Sequence, residues 1–229
     1  MTSAASRPAP PQSAPTESAG PASNQVYAWL RDAIISGEIE GGRFLDEHWV
    51  SGIVGVSRTP VREAFHRLAA ERFISLLPRK GAQVRMVTAR ELEEVYQTRR
   101  LIEGHAIAAL CATRTAPPEH MTELLDLMER AGEARDWLEA SSLDRTFHRT
   151  MVSAAGNSVL AELYDSLRSR QQRVAVRALT ARPERLTVIN SEHRALVAAL
   201  NRYDEADALR ILHQHLRPVP EVLSALPLA

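Results

Sequence analysis

Gly55-Val56-Ser57-Arg58-Thr59-Pro60-Val61-Arg62-Glu63-Ala64-Phe65-His66-Arg67-Leu68 decides how the rest of the chain reads. Val61, Ala64, Phe65 and Leu68 recur at i, i+3, i+4 and i+7, the apolar stripe of an amphipathic helix. Thr59, Arg62 and His66 fall on the other side, with Arg58 on the flank of the first turn. Ser57 is placed to cap the start. Pro60 fits the first turn, whose amides lack an intrahelical partner. The helix thus offers hydroxyl and guanidinium groups at its N-terminal end and buries the opposite face. A recognition helix entering a DNA major groove has this arrangement. So does many an ordinary surface helix, and the flanking sequence decides between them.

Upstream, Val26, Leu30, Ile34 and Ile35 form a helical stripe that Ser36-Gly37 ends. Glu38 to Arg43 reads as a turn, and Asp46 to Val54 as a short second helix. Downstream, Phe73-Ile74-Ser75-Leu76-Leu77 and Ala82-Gln83-Val84-Arg85-Met86-Val87 are β-type runs around Pro78-Arg79-Lys80-Gly81. That pattern predicts a hairpin. Three helices and a basic-tipped hairpin make a winged helix-turn-helix over residues 24–87. From Ser57 to Arg85 the chain carries seven basic residues against Glu63 and Glu71, a local patch suited to phosphates.

Composition sets the outer limits. The 229 residues are 45% hydrophobic and 24% charged with zero net charge, a globular balance. No apolar run approaches the ~20 residues of a membrane helix, and no secretory signal pattern opens the chain. Cys111 is the single cysteine, which excludes a disulfide framework and a thiolate metal cluster. The expected location is cytoplasmic. Residues 1–23 are rich in Ala, Pro and Ser and read as a disordered tail. Residues 218–229 read as a C-terminal tail.

Residues 88–217 show no strand pattern. Thr88 and Glu91 form a capping box for a helix running to about Arg114. Further helices begin after Pro117-Pro118 and cover about 137–155, 157–180, 183–201 and 203–217, giving an antiparallel all-α bundle of about six helices. The fold class is mainly α. The informative feature is where polar residues fall. Asp144 and His148 lie one turn apart within the stripe of Leu143, Phe147 and Met151. His193 lies within the stripe of Ile189, Leu196 and Leu200, and His215 within that of Ala208, Ile211 and Leu212. His213 sits at the edge of its stripe. One such histidine is usually a satisfied core residue. Burying a carboxylate and three imidazoles together is costly without mutual compensation, and a divalent cation compensates all four. Zinc is the first expectation, with nickel or manganese as alternatives. Arg99 and Glu103 also face the interior. They read either as an i, i+4 ion pair or as an arginine placed to receive a carboxylate.

Two stretches of this sequence resemble a known family. Ile34-Ile35-Ser36-Gly37-Glu38-Ile39, Leu45-Asp46-Glu47, Ser57-Arg58-Thr59-Pro60-Val61-Arg62-Glu63-Ala64 and Arg79-Lys80-Gly81-Ala82-Gln83-Val84 resemble the DNA-binding domain of GntR transcription regulators. Gly41 stands where that family usually has Pro, and His48 where a basic Arg often opens the second helix. Asp144-Arg145-Thr146-Phe147-His148, Ala155-Gly156-Asn157, His193-Arg194-Ala195-Leu196 and His213-Gln214-His215-Leu216 resemble the FCD effector domain of the FadR-type branch. The resemblance implies an ion held by Asp144, His148, His193 and His215, and an effector pocket lined by Arg99. It implies a metabolite-responsive regulator, most simply a repressor, with no enzymatic activity. Its partners are a small organic-acid effector and a palindromic double-stranded operator bound as a homodimer. Arg58, Thr59, Arg62, Arg79, Lys80 and Gly81 are the expected DNA contacts. Two alternatives are a metal-dependent enzyme built on the bundle and a regulator whose metal is purely structural.

Overall fold

The computed structural model describes residues 21–217, together with Leu223 and Leu226. The chain divides into two compact units between Arg85 and Met86. The first unit holds helices α1 (Ala22–Ser36), α2 (Glu47–Val54) and α3 (Arg58–Ala70), and strands β1 (Phe44–Leu45), β2 (Ile74–Leu77) and β3 (Gly81–Val84). Helix α1 begins at Ala22, so the last residues of the segment read as a tail are helical; residues 1–20 of that segment lie outside the described residues. Gly37 ends α1 in the left-handed conformation.

The opening stretch folds as its periodicity predicts. Val61, Ala64, Phe65 and Leu68 are buried on α3, against α1. Burial of an aromatic side chain such as Phe65 contributes about 1.5–3 kcal/mol. Ser57 occupies the N-cap position, but its side chain makes no capping hydrogen bond, contrary to the expected cap. Asp46 does cap α2, accepting from Trp49 N at 3.0 Å.

The wing is a three-stranded sheet in the order β1-β3-β2, antiparallel throughout, rather than the expected two-stranded hairpin. Two residues between the expected turn and the expected second helix supply the third strand, Phe44 opposite Gln83 and Leu45 opposite Ala82. A two-residue strand has no period-2 alternation to read. The β2–β3 register is closed by Leu77 opposite Gly81, and Arg79 takes a positive φ of 63° in the turn.

The second unit contains α4 (Ala89–Thr113), α5 (His120–Glu133), α6 (Trp137–Ala154), α7 (Ser158–Asp165), α8 (Arg168–Ala181), α9 (Arg185–Asn201) and α10 (Glu205–His215). Its core includes Ile107, Leu125, Phe147, Met151, Leu196 and Leu212. Thr88 caps α4 by accepting from Glu91 N at 3.1 Å. The return half of the expected capping box is absent, because the Glu91 side chain pairs with Arg170. The expected helix over 157–180 is two helices, so seven are described instead of about six. At the break Ser166 Oγ donates to Leu163 O at 2.6 Å and Leu167 N to Tyr164 O at 3.1 Å, the backbone bond being one residue tighter than the helical ladder. No Gly or Pro marks that point. Within 218–229, Leu226 is buried with Val87, Leu92 and Val174, and Leu223 packs against them; the other residues of that segment lie outside the described residues. Among the described residues no helix is long and apolar enough to cross a membrane.

Candidate functional site

In the first unit, one cleft of about 510 Å³ gathers Arg58 and Arg62 from α3, Glu47 from α2, and Arg79 and Gly81 from the wing. Thr59 and Lys80 are exposed. The arginines are not independent. Arg58 donates to Glu47 at 3.0 Å, and Arg62 donates to both Glu47 oxygens at 3.1 and 2.9 Å. Hydrogen bonding from Arg62 outweighs desolvation and, with Arg58, holds the Glu47 carboxyl below its ordinary value. No sequence pattern marks this bridge, because Glu47 and the arginines are on different helices. Gly81 has a second reason to be glycine. A Cβ there would lie 2.3 Å from Leu45 O, at a φ of 84°. Its missing side chain admits β1 as well as leaving the wing backbone open.

In the second unit, the four expected metal-site residues converge. Ligand atoms of Asp144, His148, His193 and His215 all lie within 4.8 Å of one another. His148 Nε2 is 3.0 Å from His193 Nε2, which is 3.3 Å from His215 Nε2. Asp144 Oδ1 stands 3.5 Å from His193 Nε2 and 3.9 Å from His148 Nε2. Helix α6 delivers two of the groups because residues four apart share a face; α9 and α10 deliver one each. His213 is exposed, as expected from its place at the stripe's edge.

Two carboxylates behind the cluster fix how the rings are used. Glu103 Oε2 stands 2.9 Å from His148 Nδ1, off the ideal hydrogen-bond line. Glu192 Oε2 lies 3.0 Å from His215 Nδ1. A carboxylate at Nδ1 draws the ring proton there, so the neutral imidazole turns its lone pair at Nε2 toward the cluster. Burial pushes the His148 imidazolium below its ordinary pKa despite Glu103. Burial, with His215 and His148 beside it, pushes His193 further down. The centre therefore collects two inward lone pairs, a carboxylate oxygen and one further ring nitrogen. His193 can offer at most one proton there. Four groups rich in acceptors and poor in protons fit a divalent cation. Glu192 was not foreseen from sequence: it precedes His193 directly and so lies on another side of α9.

Arg99 is held in an ion pair and also borders a cavity. Its Nε donates to Glu103 Oε1 at 2.6 Å, with Arg99 6% and Glu103 0% exposed. Burial pushes the Glu103 carboxyl up, but Arg99 and His148 outweigh it and hold it well below the carboxylate range. At the same time Arg99 lines a cavity of about 80 Å³ beside Asp144 and His215, and its Nη2 is buried with no hydrogen-bond partner. The ion pair engages Nε and leaves Nη2 without a partner.

A winged helix-turn-helix unit followed by a helical unit with a ligand-sized cavity defines a class: DNA-binding regulators that carry their own sensor. Residues 22–84 match the bacterial regulatory proteins of the gntR family, and residues 94–218 match the FCD domain. The gluconate operon transcriptional repressor of Bacillus subtilis (strain 168) is 30% identical over 197 residues, covering 84% of this chain and 81% of that protein. The same-named repressor of Bacillus licheniformis is 32% identical over 202 residues, covering 85% and 82%. Among solved structures, a transcriptional regulator GntR from Rhodococcus sp. RHA1 aligns with a TM-score of 0.71 at 27% identity, covering 85% of this chain and 93% of that one. The chain belongs to the GntR family of bacterial transcription regulators, with an FCD domain C-terminal to its DNA-binding domain. It is a DNA-binding regulator, not an enzyme.

Proposed function

We propose that this regulator is a repressor whose helical unit binds a divalent cation and a small carboxylic acid, and that the acid relieves repression. The observation that carries the reading is the convergence of Asp144, His148, His193 and His215 ligand atoms within 4.8 Å. Asp144 and the three imidazoles would hold the ion; Glu103 and Glu192 hold His148 and His215 in the ligating orientation. A bound divalent ion supplies a positive centre for one carboxylate oxygen. Zinc suits three imidazoles and a carboxylate, and nickel and manganese are the alternatives. Arg99 orients the acid through its unused Nη2 edge.

At the other unit, Arg58, Thr59 and Arg62 read the major groove, while Arg79, Lys80 and the Gly81 backbone approach the flanking phosphates. A homodimer on a palindromic operator places two such helices about one DNA turn apart. The acid acts by binding one regulator conformation better than the other, which shifts DNA affinity. The repressor names of the two Bacillus relatives support the sign of the response. The test is metal content by mass spectrometry of the full chain and of His193→Ala after identical zinc loading. About one ion per chain is expected in the parent and a large loss in the variant; equal content would end the four-ligand reading.

A further inference from the structure

The cavity beside the candidate metal centre is lined by donors that the protein leaves unused. Arg99 Nη2, Arg145 Nε and Gln171 Nε2 are buried with no hydrogen-bond partner. All three residues line the same cavity, one each from α4, α6 and α8. Each atom is an N–H donor and none is an acceptor. A buried unpaired donor is costly, so three on residues that line one cavity call for a ligand rich in acceptors.

A carboxylate that gives one oxygen to an ion and the other to Arg99 is held from the cluster and from α4, although each oxygen keeps a further lone pair. Arg145 and Gln171 come from two other helices, α6 and α8, and charge says what kind of group they take. Among the described residues, Arg99, Arg145 and Arg185 line the cavity against one carboxylate, Asp144. Glu103 offsets Arg99 from behind. Arg145 is poorly compensated: Asp165 lies 3.6 Å from its Nη1 and is held closer, at 3.0 Å, by Arg149. A divalent ion adds to the positive excess. A neutral hydroxyl would satisfy a donor and leave that excess in place; a second carboxylate satisfies both. The volume of about 80 Å³ equals roughly 5–8 water-sized positions, which admits a short acid.

We infer that the effector is a small dicarboxylic acid of about succinate size. One carboxylate meets the ion and Arg99, and the other meets Arg145 and Gln171. This rests on the carboxylate-and-ion reading above and adds a second anionic subsite to it.

Calorimetric titration of the zinc-loaded full chain with succinate, butyrate and gluconate tests it. Succinate is expected to bind at least tenfold more tightly than butyrate. Arg145→Gln and Gln171→Leu should each erase most of that advantage while leaving butyrate affinity within about twofold. Circular dichroism of both variants checks their folding, and the parent comparison stands without either. If butyrate binds as tightly as succinate, the second anionic subsite is refuted and the carboxylate-and-ion reading survives. If gluconate matches succinate and weakens equally in Arg145→Gln, the second subsite takes hydroxyls and the dianion is refuted. If no acid binds the zinc-loaded protein, both readings fall together.

Discussion

Glu103→Gln should weaken the helical unit and its ion site at once, by separable amounts. Glu103 is fully buried and touches Arg99 Nε at 2.6 Å and His148 Nδ1 at 2.9 Å. Removing one member of a buried ion pair leaves an uncompensated charge, at about 3–5 kcal/mol. The Gln amide oxygen can still accept from Arg99, so the low end, about 3 kcal/mol, is expected. For a chain of this length that lowers the melting temperature by about 6–12 °C. The ion site should lose more specifically. Carboxylates that orient a ligating imidazole contribute about 10–100-fold in metal affinity. The assays are thermal denaturation of chelator-treated protein and zinc titration against a competing chelator. The double variant Arg99→Met with Glu103→Leu separates the terms: replacing both charges by apolar groups should recover most of the stability and none of the ion affinity. If Glu103→Gln melts within about 2 °C of the parent and binds zinc equally, Glu103 neither neutralises Arg99 nor orients His148.

Gly81→Ala should destabilise the first unit and free β1, because its Cβ would meet Leu45 O at 2.3 Å in a left-handed backbone; unchanged amide-exchange protection at Leu45 would refute this. Arg62→Ala should weaken operator binding by roughly 5–150-fold with the fold intact by circular dichroism, and unaltered affinity would remove Arg62 from the interface. Glu47→Gln should raise affinity for an unrelated duplex and narrow the operator-to-unrelated ratio a few-fold, since Glu47 both neutralises and aims Arg58 and Arg62. A ratio unchanged across salt concentrations would make that bridge incidental.

What the sequence showed and hid follows from how each signal arises. Val61, Ala64, Phe65 and Leu68 were legible because burial of one helix face imposes a period of 3.6 on the chain itself. Asp144, His148, His193 and His215 were legible as exceptions to that period: polar groups where the stripe demands apolar ones. Phe44 and Leu45 carry too few residues to show any period, so the third strand was missed. The break at Ser166 was missed because a serine side chain bonding back to Leu163 O leaves no composition mark of the kind Gly156 leaves. Glu47, Glu192 and Arg145 were opaque for a third reason. Each sits where charged residues are ordinary, and only the pairing across helices gives it meaning: Glu47 to two arginines, Glu192 to a ring nitrogen, Arg145 to an atom without a partner.

The polar chemistry of the helical unit is divided by kind. The histidine cluster turns lone pairs and a carboxylate inward and has at most one proton to share among them. The adjoining cavity is lined by three residues with unpaired N–H groups and, among the described residues, by Asp144 as its one carboxylate. Asp144 and His215 belong to both. A cation alone satisfies the cluster and worsens the positive excess of the cavity. An anion alone satisfies the donors and faces the lone pairs of the cluster. Each component removes the penalty against the other, so ion and acid should bind as a coupled pair, each raising the affinity of the other by the same factor. On that logic an aliphatic replacement of Arg99 or Arg145 weakens the acid directly and the ion only through the acid, whereas loss of His193 weakens both.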